Sequence, residues 1–308
     1  MRRLSLSVGG AHAGTRLDRF IAAAGGISRG EARRALDAGG VFLEGRRCKV
    51  AARIVRDGQS VVVHLSEAGR APGRVAPLER ARILYADEHL VAVDKPPFVA
   101  SQPTLTSDRG VLPDLVAALV GGEITVVHRL DRETSGACVL ARTRAAAGAL
   151  AEAFRAGTPE KTYLALTARP PTPPEGRVAA PLGPDPARPG RRLVTARGEA
   201  AATGYRTLGT GPSGASLVEC RPETGRTHQI RVHLRHLGAP LLGDARYGGP
   251  RRVLETSVPR VMLHAARLVL EHPVTGARLV VDAPVPEDFA AVARALVPGA
   301  LSRAAGGP

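Results

Sequence analysis

Apolar and polar positions divide the chain into a short first stretch and a long second one. Leu17, Phe20 and Ile21 recur at helical spacing, and Ser28 offers an N-cap for a second helix over 29–38. Gly39-Gly40 stops that helix, and Val41-Phe42-Leu43 begins a strand that turns at Glu44-Gly45. Ile54-Val55, Asp57-Gly58 and a strand over 61–63 then complete an αα-plus-hairpin unit. From 66 to 80 the residues shift to Ala, Gly, Pro and Arg without periodicity, which reads as a linker. Beyond it, strands over 83–85 and 90–93 flank Asp87-Glu88, and Lys95-Pro96-Pro97 ends the second of them. A helix over 113–120 carries its proline in the first turn, and an Ala-rich helix runs from 144 until it ends at Gly157. A strand over 162–166 leads into a proline-rich loop, 170–189. Strands at 200–208 and 216–220 pair, 228–237 is helical, 261–270 and 277–281 form a hairpin, and 286–296 is a closing helix. Strands dominate, joined mostly by hairpins and without βαβ alternation. The pattern predicts an α+β protein with a mixed, mostly antiparallel sheet flanked by helices. Expected domains are 13–68 and 81–298, joined by a linker at 69–80, with a frayed Ala/Gly/Pro tail.

Composition narrows the setting. The 308 residues suffice for one large core and one small one. No run approaches the roughly 18 apolar residues of a membrane span, and the basic start MRRLSLSVGGAHAG lacks the apolar segment of a signal peptide. Cys48, Cys138 and Cys220 are odd in number, far apart and without a CxxC, so neither a disulfide framework nor a zinc site is indicated. A reducing compartment, the cytoplasm, and a monomer are the expectation. Charge changes the picture most, because 43 basic residues stand against 28 acidic ones, a net of +15. Residues 1–80 hold 15 of the basic and 7 of the acidic residues, so about half the excess lies in a quarter of the chain. An imbalance of this size implies a polyanionic partner, most often nucleic acid.

Two stretches carry candidate chemistry. VVHRLDRETSGACVLAR, residues 126–142, sets His128, Arg129, Asp131, Arg132, Glu133, Thr134 and Ser135 in a turn closed by Gly136, between two apolar strands. Taken alone, a solvent-facing turn of paired charges explains it equally well. In the second stretch, 223–234, Thr227 is the expected N-cap, and Ile230, Leu234 and Leu237 face the core at i, i+4, i+7. Arg231 then falls at the border of the buried face, where a guanidinium needs a carboxylate or phosphate. His228, His233 and His236 invite a metal reading, but no HExxH and no matching carboxylate accompany them, so no metal is expected. Gly209, Gly211 and Gly214 satisfy GxGxxG, yet a β-like run follows where the dinucleotide fingerprint needs a helix.

The order RLDRF, ISRGEARRAL, GGVFLEGRR, DGQSVVV resembles the small RNA-binding module named after ribosomal protein S-four. That resemblance implies that Arg29, Arg33, Arg34, Arg46, Arg47 and Lys49 grip RNA phosphates. Residues 128–136 resemble the HRLDxxTSG signature of the RluA-type pseudouridine synthases, and 224–231 resemble their TGRTHQIR stretch. Lys161-Thr162-Tyr163-Leu164-Ala165, Asp94-Lys95-Pro96-Pro97, Leu242-Gly243-Asp244 with Tyr247-Gly248, and His264-Ala265 complete the order over about 80–295.

The resemblance implies the pseudouridine synthase fold and an isomerase that turns uridine into pseudouridine in structured RNA, with large-subunit ribosomal RNA expected. The reaction breaks an N-glycosidic bond, turns the base and rejoins it through carbon, so no cofactor, metal or redox step is implied. It implies Asp131 as the reacting carboxylate, Arg231 as the cation that holds it ionised, and Tyr163 as the aromatic on the target base. A uridine in folded RNA must be flipped out, at roughly a few kcal/mol of unstacking. Arg129 is implied to fill the vacated space or hold the phosphate, with Arg226 and His228 as further substrate contacts. The pattern departs at Gln102, where relatives usually carry a histidine, which bears on substrate contacts rather than on the three core roles. An inactive RNA-binding assembly factor would be expected to lack Asp131, which is present. A glycoside hydrolase using Asp131 with Glu133 would need two carboxylates about 5–9 Å apart across a sugar, and nothing in the sequence sets a second one there. His128 is given no firm role by this reading, bracing of its loop being the one open to it.

Overall fold

The computed structural model describes residues 2–65 and 76–305, so most of the linker read over 66–80 and the last residues of the tail lie outside the described residues. The chain clusters into two compact units. The first comprises the described residues up to Pro77 together with Gln102–Ala118; the second comprises Leu78–Ser101 and the residues from Leu119 onward.

In the first unit, β1 (Arg2–Ser7), α1 (Leu17–Gly25), α2 (Arg29–Ala38), β2 (Val41–Leu43), β3 (Arg46–Arg47) and β4 (Ser60–Leu65) form two helices on a sheet of order β1-β4-β2-β3. Ser28 starts α2 through a capping box. Its hydroxyl accepts from the Glu31 N–H at 3.1 Å, and the Glu31 carboxylate accepts from the Ser28 N–H at 2.9 Å. Leu17, Phe20, Ile21 and Leu36 close over Val61 and Val63 as the core. β1 went unread in the sequence, although Leu4 and Leu6 alternate with Arg3 and Ser5. Its register is set by β4, which lies more than fifty residues on (Leu4 opposite Val63). Ile54 forms only an isolated bridge, to Arg16, rather than a strand. α3 (Leu112–Val120) begins within the segment grouped with this unit, and Pro113 sits in its first turn as expected.

The second unit is built on one ten-stranded sheet. In chain order its strands are β5 (Ile83–Ala86), β6 (Leu90–Lys95), β7 (Thr125–Val126), β8 (Ser135–Ala141), β9 (Glu160–Thr167), β10 (Glu175–Ala179), β13 (Ala202–Thr210), β14 (Ser216–Pro222), β17 (Leu263–Glu271) and β18 (Arg278–Asp282). Two short pairs stand outside it, β11 (Leu182–Pro184) with β12 (Arg192–Val194) and β15 (Arg252–Val253) with β16 (Thr256–Ser257). The strand order is β10-β13-β14-β9-β17-β8-β6-β5, with β18 also on β17 and β7 on β8; every pairing is antiparallel except β17 with β8. Helix α4 (Arg144–Ala156) buries Ala146 and Leu150 with β6, β8 and β17, and α6 (Glu287–Leu296) buries Phe289 and Val292 on Leu164 and Leu166 of β9. Helix α5 (Gln229–His236) packs Ile230 and Leu234 with Ala165, on the alternate side of β9, and α7 (Ala300–Ala305) follows α6.

Three readings need correction. Pro170–Pro189 is not one loop, because β10 and β11 lie within it. β10 is the outermost strand of the sheet and contains no proline, and the proline of β11 ends a two-stranded pair, so neither breaks a central ladder. Ser135 and Gly136 are buried residues of β8 rather than the close of the turn. Gly136 has φ 114°, and a Cβ there would collide with the Ala265 carbonyl of β17, so the glycine serves the parallel strand approach. The cap of α5 is His228, at φ 60°, and not Thr227.

Candidate active site

The loop between β7 and β8 is fastened on both sides of Asp131. Ser101 Oγ donates to the Leu130 carbonyl at 2.9 Å and accepts from the Leu130 N–H at 3.1 Å. The fully buried Lys95 donates to the carbonyls of Pro96 and Val99, each at 2.9 Å, and to that of Arg132 at 3.4 Å. Burial pulls the Lys95 ammonium down to about 7. Glu133 turns away. Its carboxylate accepts from the Val261 N–H at 3.2 Å, and it is absent from the cavity walls, so it does not face Asp131 across the cavity as a glycoside hydrolase pair would require.

His128 acquires a definite place. β7 stops at Val126, and the His128 Nε2 accepts the Val139 N–H of β8 at 2.9 Å in place of a strand carbonyl. Its ring stacks on Phe154 at 4.1 Å, and burial pulls it down to about 3, so it is a neutral acceptor. The expectation that it braces the loop agrees with this geometry.

The second motif supplies the cation. Gln229 organises the turn before α5: its Oε1 accepts from the Thr224 hydroxyl at 2.6 Å and the Arg226 N–H at 3.0 Å, while its Nε2 donates to the Ala202 carbonyl at 2.8 Å. Arg231, two residues on and only 7% exposed, donates Nη1 to Asp131 Oδ2 at 3.0 Å. Its Nε and Nη2 grip Asp244 at 2.7 and 2.9 Å. Burial alone would pull the guanidinium down; the bonds and charge of Asp244, then the charge of Asp131, push it above its ordinary value. Asp244 is presented by Gly243, at φ 78°, where a Cβ would collide with the Arg260 carbonyl. The Arg231 guanidinium also lies over the Tyr247 ring, 5.1 Å from its centroid.

Tyr247 also holds His228 in place. Its Oη accepts from the Arg192 N–H at 2.9 Å and lies 2.8 Å from His228 Nδ1, while His228 Nε2 lies 3.9 Å from Asp131 Oδ2. Burial pulls His228 down to about 4, keeping the ring neutral.

These groups surround a cavity of about 350 Å³ whose walls include Asp131, Arg129, Tyr163, Arg226, His228 and Arg231. All six residues read from the second domain's motifs therefore meet at one place. Tyr163 and Lys161 reach it from alternate positions of β9. Burial, then the charge of Asp131, holds the Tyr163 phenol above its ordinary range, and burial lowers the Lys161 ammonium. Arg226 is half-committed, with an ion pair to Glu199 at 3.1 Å and a bond to the Ala200 carbonyl at 3.1 Å. His233, raised as a metal ligand, instead bonds Thr203 and the Ala180 carbonyl, each at 2.9 Å, and no cluster with metal-ligand composition occurs among the described residues.

The basic residues of the first unit are differently disposed. Arg16, Arg29 and Arg33 all converge on the buried Asp18, at 3.1, 3.0 and 3.0 Å. Arg34 and Arg46 are exposed. Lys49 pairs with Asp108 at 2.7 Å, and Arg47 donates to the Thr104 carbonyl at 2.6 Å. Asp18, Asp108, Asp244, Tyr247 and Lys95 carried no role in the sequence reading. The only signal for two of them was the Leu-Gly-Asp…Tyr-Gly stretch, which has no intrinsic chemistry until folded beside Arg231.

A fold of this kind, with a carboxylate, an arginine and a tyrosine on one cavity and a basic accessory unit, is that of a pseudouridine synthase. A family model for RNA pseudouridylate synthases matches residues 89–236, and one for the S4 domain matches 15–61. The chain is 39% identical over 291 residues to an uncharacterized RNA pseudouridine synthase of Chloroflexus aurantiacus, spanning 91% of this chain and 90% of the relative. It is 38% identical over 232 residues to the ribosomal large subunit pseudouridine synthase D of Xanthomonas campestris pv. campestris, spanning 70% and 69%. The solved structure of human RNA pseudouridylate synthase domain containing 4 superposes with a TM-score of 0.55 at 29% identity, covering 72% of this chain and 92% of that one. The chain belongs to the RluA-type RNA pseudouridine synthases and carries an N-terminal S4 domain.

Proposed function

We propose that this enzyme isomerises uridine to pseudouridine in large-subunit ribosomal RNA in the cytoplasm, with Asp131 as the reacting group. The observation that carries this reading is the uneven sharing of Arg231. Asp244 takes two of its donors and Asp131 one, so Asp131 is oriented through Oδ2 by a fixed cation while no side chain among the described residues bonds Oδ1. That is what a carboxylate needs in order to attack, or stabilise positive charge at, the ribose C1′ as the bond to N1 breaks. The freed base turns and C5 bonds C1′; C5 loses its proton and N1 regains one, so the atoms balance without an oxidant or an energy source. Tyr163 offers its ring to the base, and its hydroxyl is the group assigned to proton removal, protonated in the free enzyme until substrate changes its surroundings. His228 offers a neutral imidazole to the substrate, and Arg129, exposed at the cavity wall, takes the phosphate or the space left by the flipped nucleotide. The ribosomal assignment is supported by similarity to bacterial ribosomal large subunit pseudouridine synthases and by the basic S4 domain, and the compartment by three free cysteines.

Pseudouridine maps of total RNA from cells with and without the gene test the reading. One or a few large-subunit sites should vanish in the deletion and return with the wild-type chain but not with Asp131→Asn. Restoration by the Asn variant would refute the mechanism, and loss confined to transfer RNA would refute the substrate.

A further inference from the structure

We propose that Phe98 is a stacking site for a nucleobase flanking the target uridine, distinct from the cavity that receives the uridine itself; the proposal rests on the enzyme acting on RNA. Phe98 combines two unfavourable features. Its φ is 67°, in the left-handed region that bulky residues avoid, and the residue is 50% exposed. The loop carrying it is not loose. Val99 and Ser101 are buried at 5% and 4% exposure, and Lys95 and Ser101 tie the loop to Arg132 and Leu130, the two neighbours of Asp131. The Phe98 carbonyl itself accepts from Arg132 Nε at 3.0 Å. An aromatic ring is thus held outside the core, on a rigid loop, one hydrogen bond from the residue after the reacting aspartate. Core packing gives no reason for a ring at this position, because the anchoring is done by backbone carbonyls and by Val99 and Ser101.

The surroundings match single-stranded RNA. Arg129 and Arg132 flank Asp131 in sequence and both are exposed, supplying charge for phosphates beside an apolar plane for a base. Proteins that hold unstacked nucleotides use this pairing of aromatic faces with guanidinium groups. Extruding a uridine leaves the adjacent base with one bare face, and covering it recovers part of the unstacking cost. Phe98 is not among the residues lining the cavity, which separates the two subsites.

The chain contains no tryptophan, so Phe98→Trp introduces a single reporter. RNA from cells lacking the gene, labelled with tritium at uridine C5, serves both as ligand and as substrate, since bond formation at C5 releases the label. Emission from the introduced indole should be quenched in step with RNA binding and become protected from acrylamide. Phe98→Gly, which removes the ring and the left-handed strain together, should raise KM roughly tenfold without lowering Tm, the loss falling on KM rather than kcat. Phe98→Tyr should behave as wild type. If wild-type enzyme releases tritium normally while the indole emission is unchanged by saturating RNA and the glycine variant keeps its KM, the stacking site is overturned. If wild-type enzyme releases no tritium from this RNA, the RNA reading falls, and the Phe98 proposal falls with it.

Discussion

Two constellations of aspartate and arginine, one in each unit, use the same pair of residue types in opposite proportions. At Asp18 one buried carboxylate serves three guanidiniums, those of Arg16, Arg29 and Arg33. At Arg231 one buried guanidinium serves two carboxylates, Asp131 and Asp244. In the first, positive charge is in excess and each arginine keeps donors to spare while its stem is anchored. Bonds from the three arginines outweigh burial and hold Asp18 well below the usual carboxylate range, so it stays ionised and structural. In the second, negative charge is in excess, and one carboxylate keeps an oxygen to use. On the proposed reading, stoichiometry, rather than the presence of an Asp–Arg pair, separates the arginine surface from the reacting site.

The largest effects should come from the two carboxylates of Arg231, and they should differ in kind. Asp131→Asn removes the oxygen proposed to react but leaves Arg231 clamped by Asp244. Tritium release should fall at least about a thousandfold, while Tm and RNA affinity stay near wild type. Asp244→Ala removes two of the three side-chain contacts of a 7%-exposed arginine. It should cost about 3–5 kcal/mol of stability, read by calorimetry, as well as activity. If Asp131→Asn destabilised the protein as much as Asp244→Ala, the division between a spare and a structural carboxylate would be wrong.

That division also marks what the sequence could carry. Asp131, Tyr163 and Arg231 were named through the resemblance of the HRLD, K-x-Y-x-A and TGRTHQIR stretches; local pattern by itself offered only a charged turn between strands and an arginine at the edge of a helix face. Asp244 was given no role, because Gly243 turns it toward Arg231 through a backbone conformation that no periodicity encodes. Asp18 was missed for the same kind of reason. Arg29 and Arg33 lie eleven and fifteen residues from it, on the next helix, so their pairing arises only when α1 and α2 pack. β1 and β10 escaped because a strand's partner, rather than its own composition, decides whether it is one. The helices up to α6, whose periods are local, were read to within a few residues, although the cap of α5 was misplaced and α7 lies in the tail read as frayed.

The units should also part on acidification. The second holds four histidines lowered first by burial, His128 to about 3, His228 and His264 to about 4, and His233, whereas the first holds one, His64. Unfolded, each takes a proton near 6.5, so their contribution is complete above that pH and is lost as pH falls toward 4 and then 3. Each adds a slope on the order of 1.4 kcal/mol per pH unit in that window. Asp18 stays ionised throughout the window, so the first unit should keep its arginine cluster. His128→Gln retains an acceptor for the Val139 N–H but does not titrate. Melting measured between pH 7 and 4 should lose about one proton of slope in that variant, and an unchanged slope would rule out a neutral buried His128.

The smallest effects concern the excess arginines. If Asp18 anchors them for an RNA backbone, Arg29→Gln and Arg33→Gln should each weaken RNA binding severalfold at low salt. Each should also flatten the dependence of log K on log salt by about one unit. Asp18→Asn tests the anchoring itself. It adds net positive charge, which by simple attraction would tighten binding and steepen the salt slope. Loss of the shared carboxylate instead frees three long side chains, which must then be ordered at each binding event. An anchored surface therefore predicts weaker binding for Asp18→Asn with the slope retained, whereas tighter binding would mean that the arginines act as diffuse charge and that Asp18 merely dilutes it.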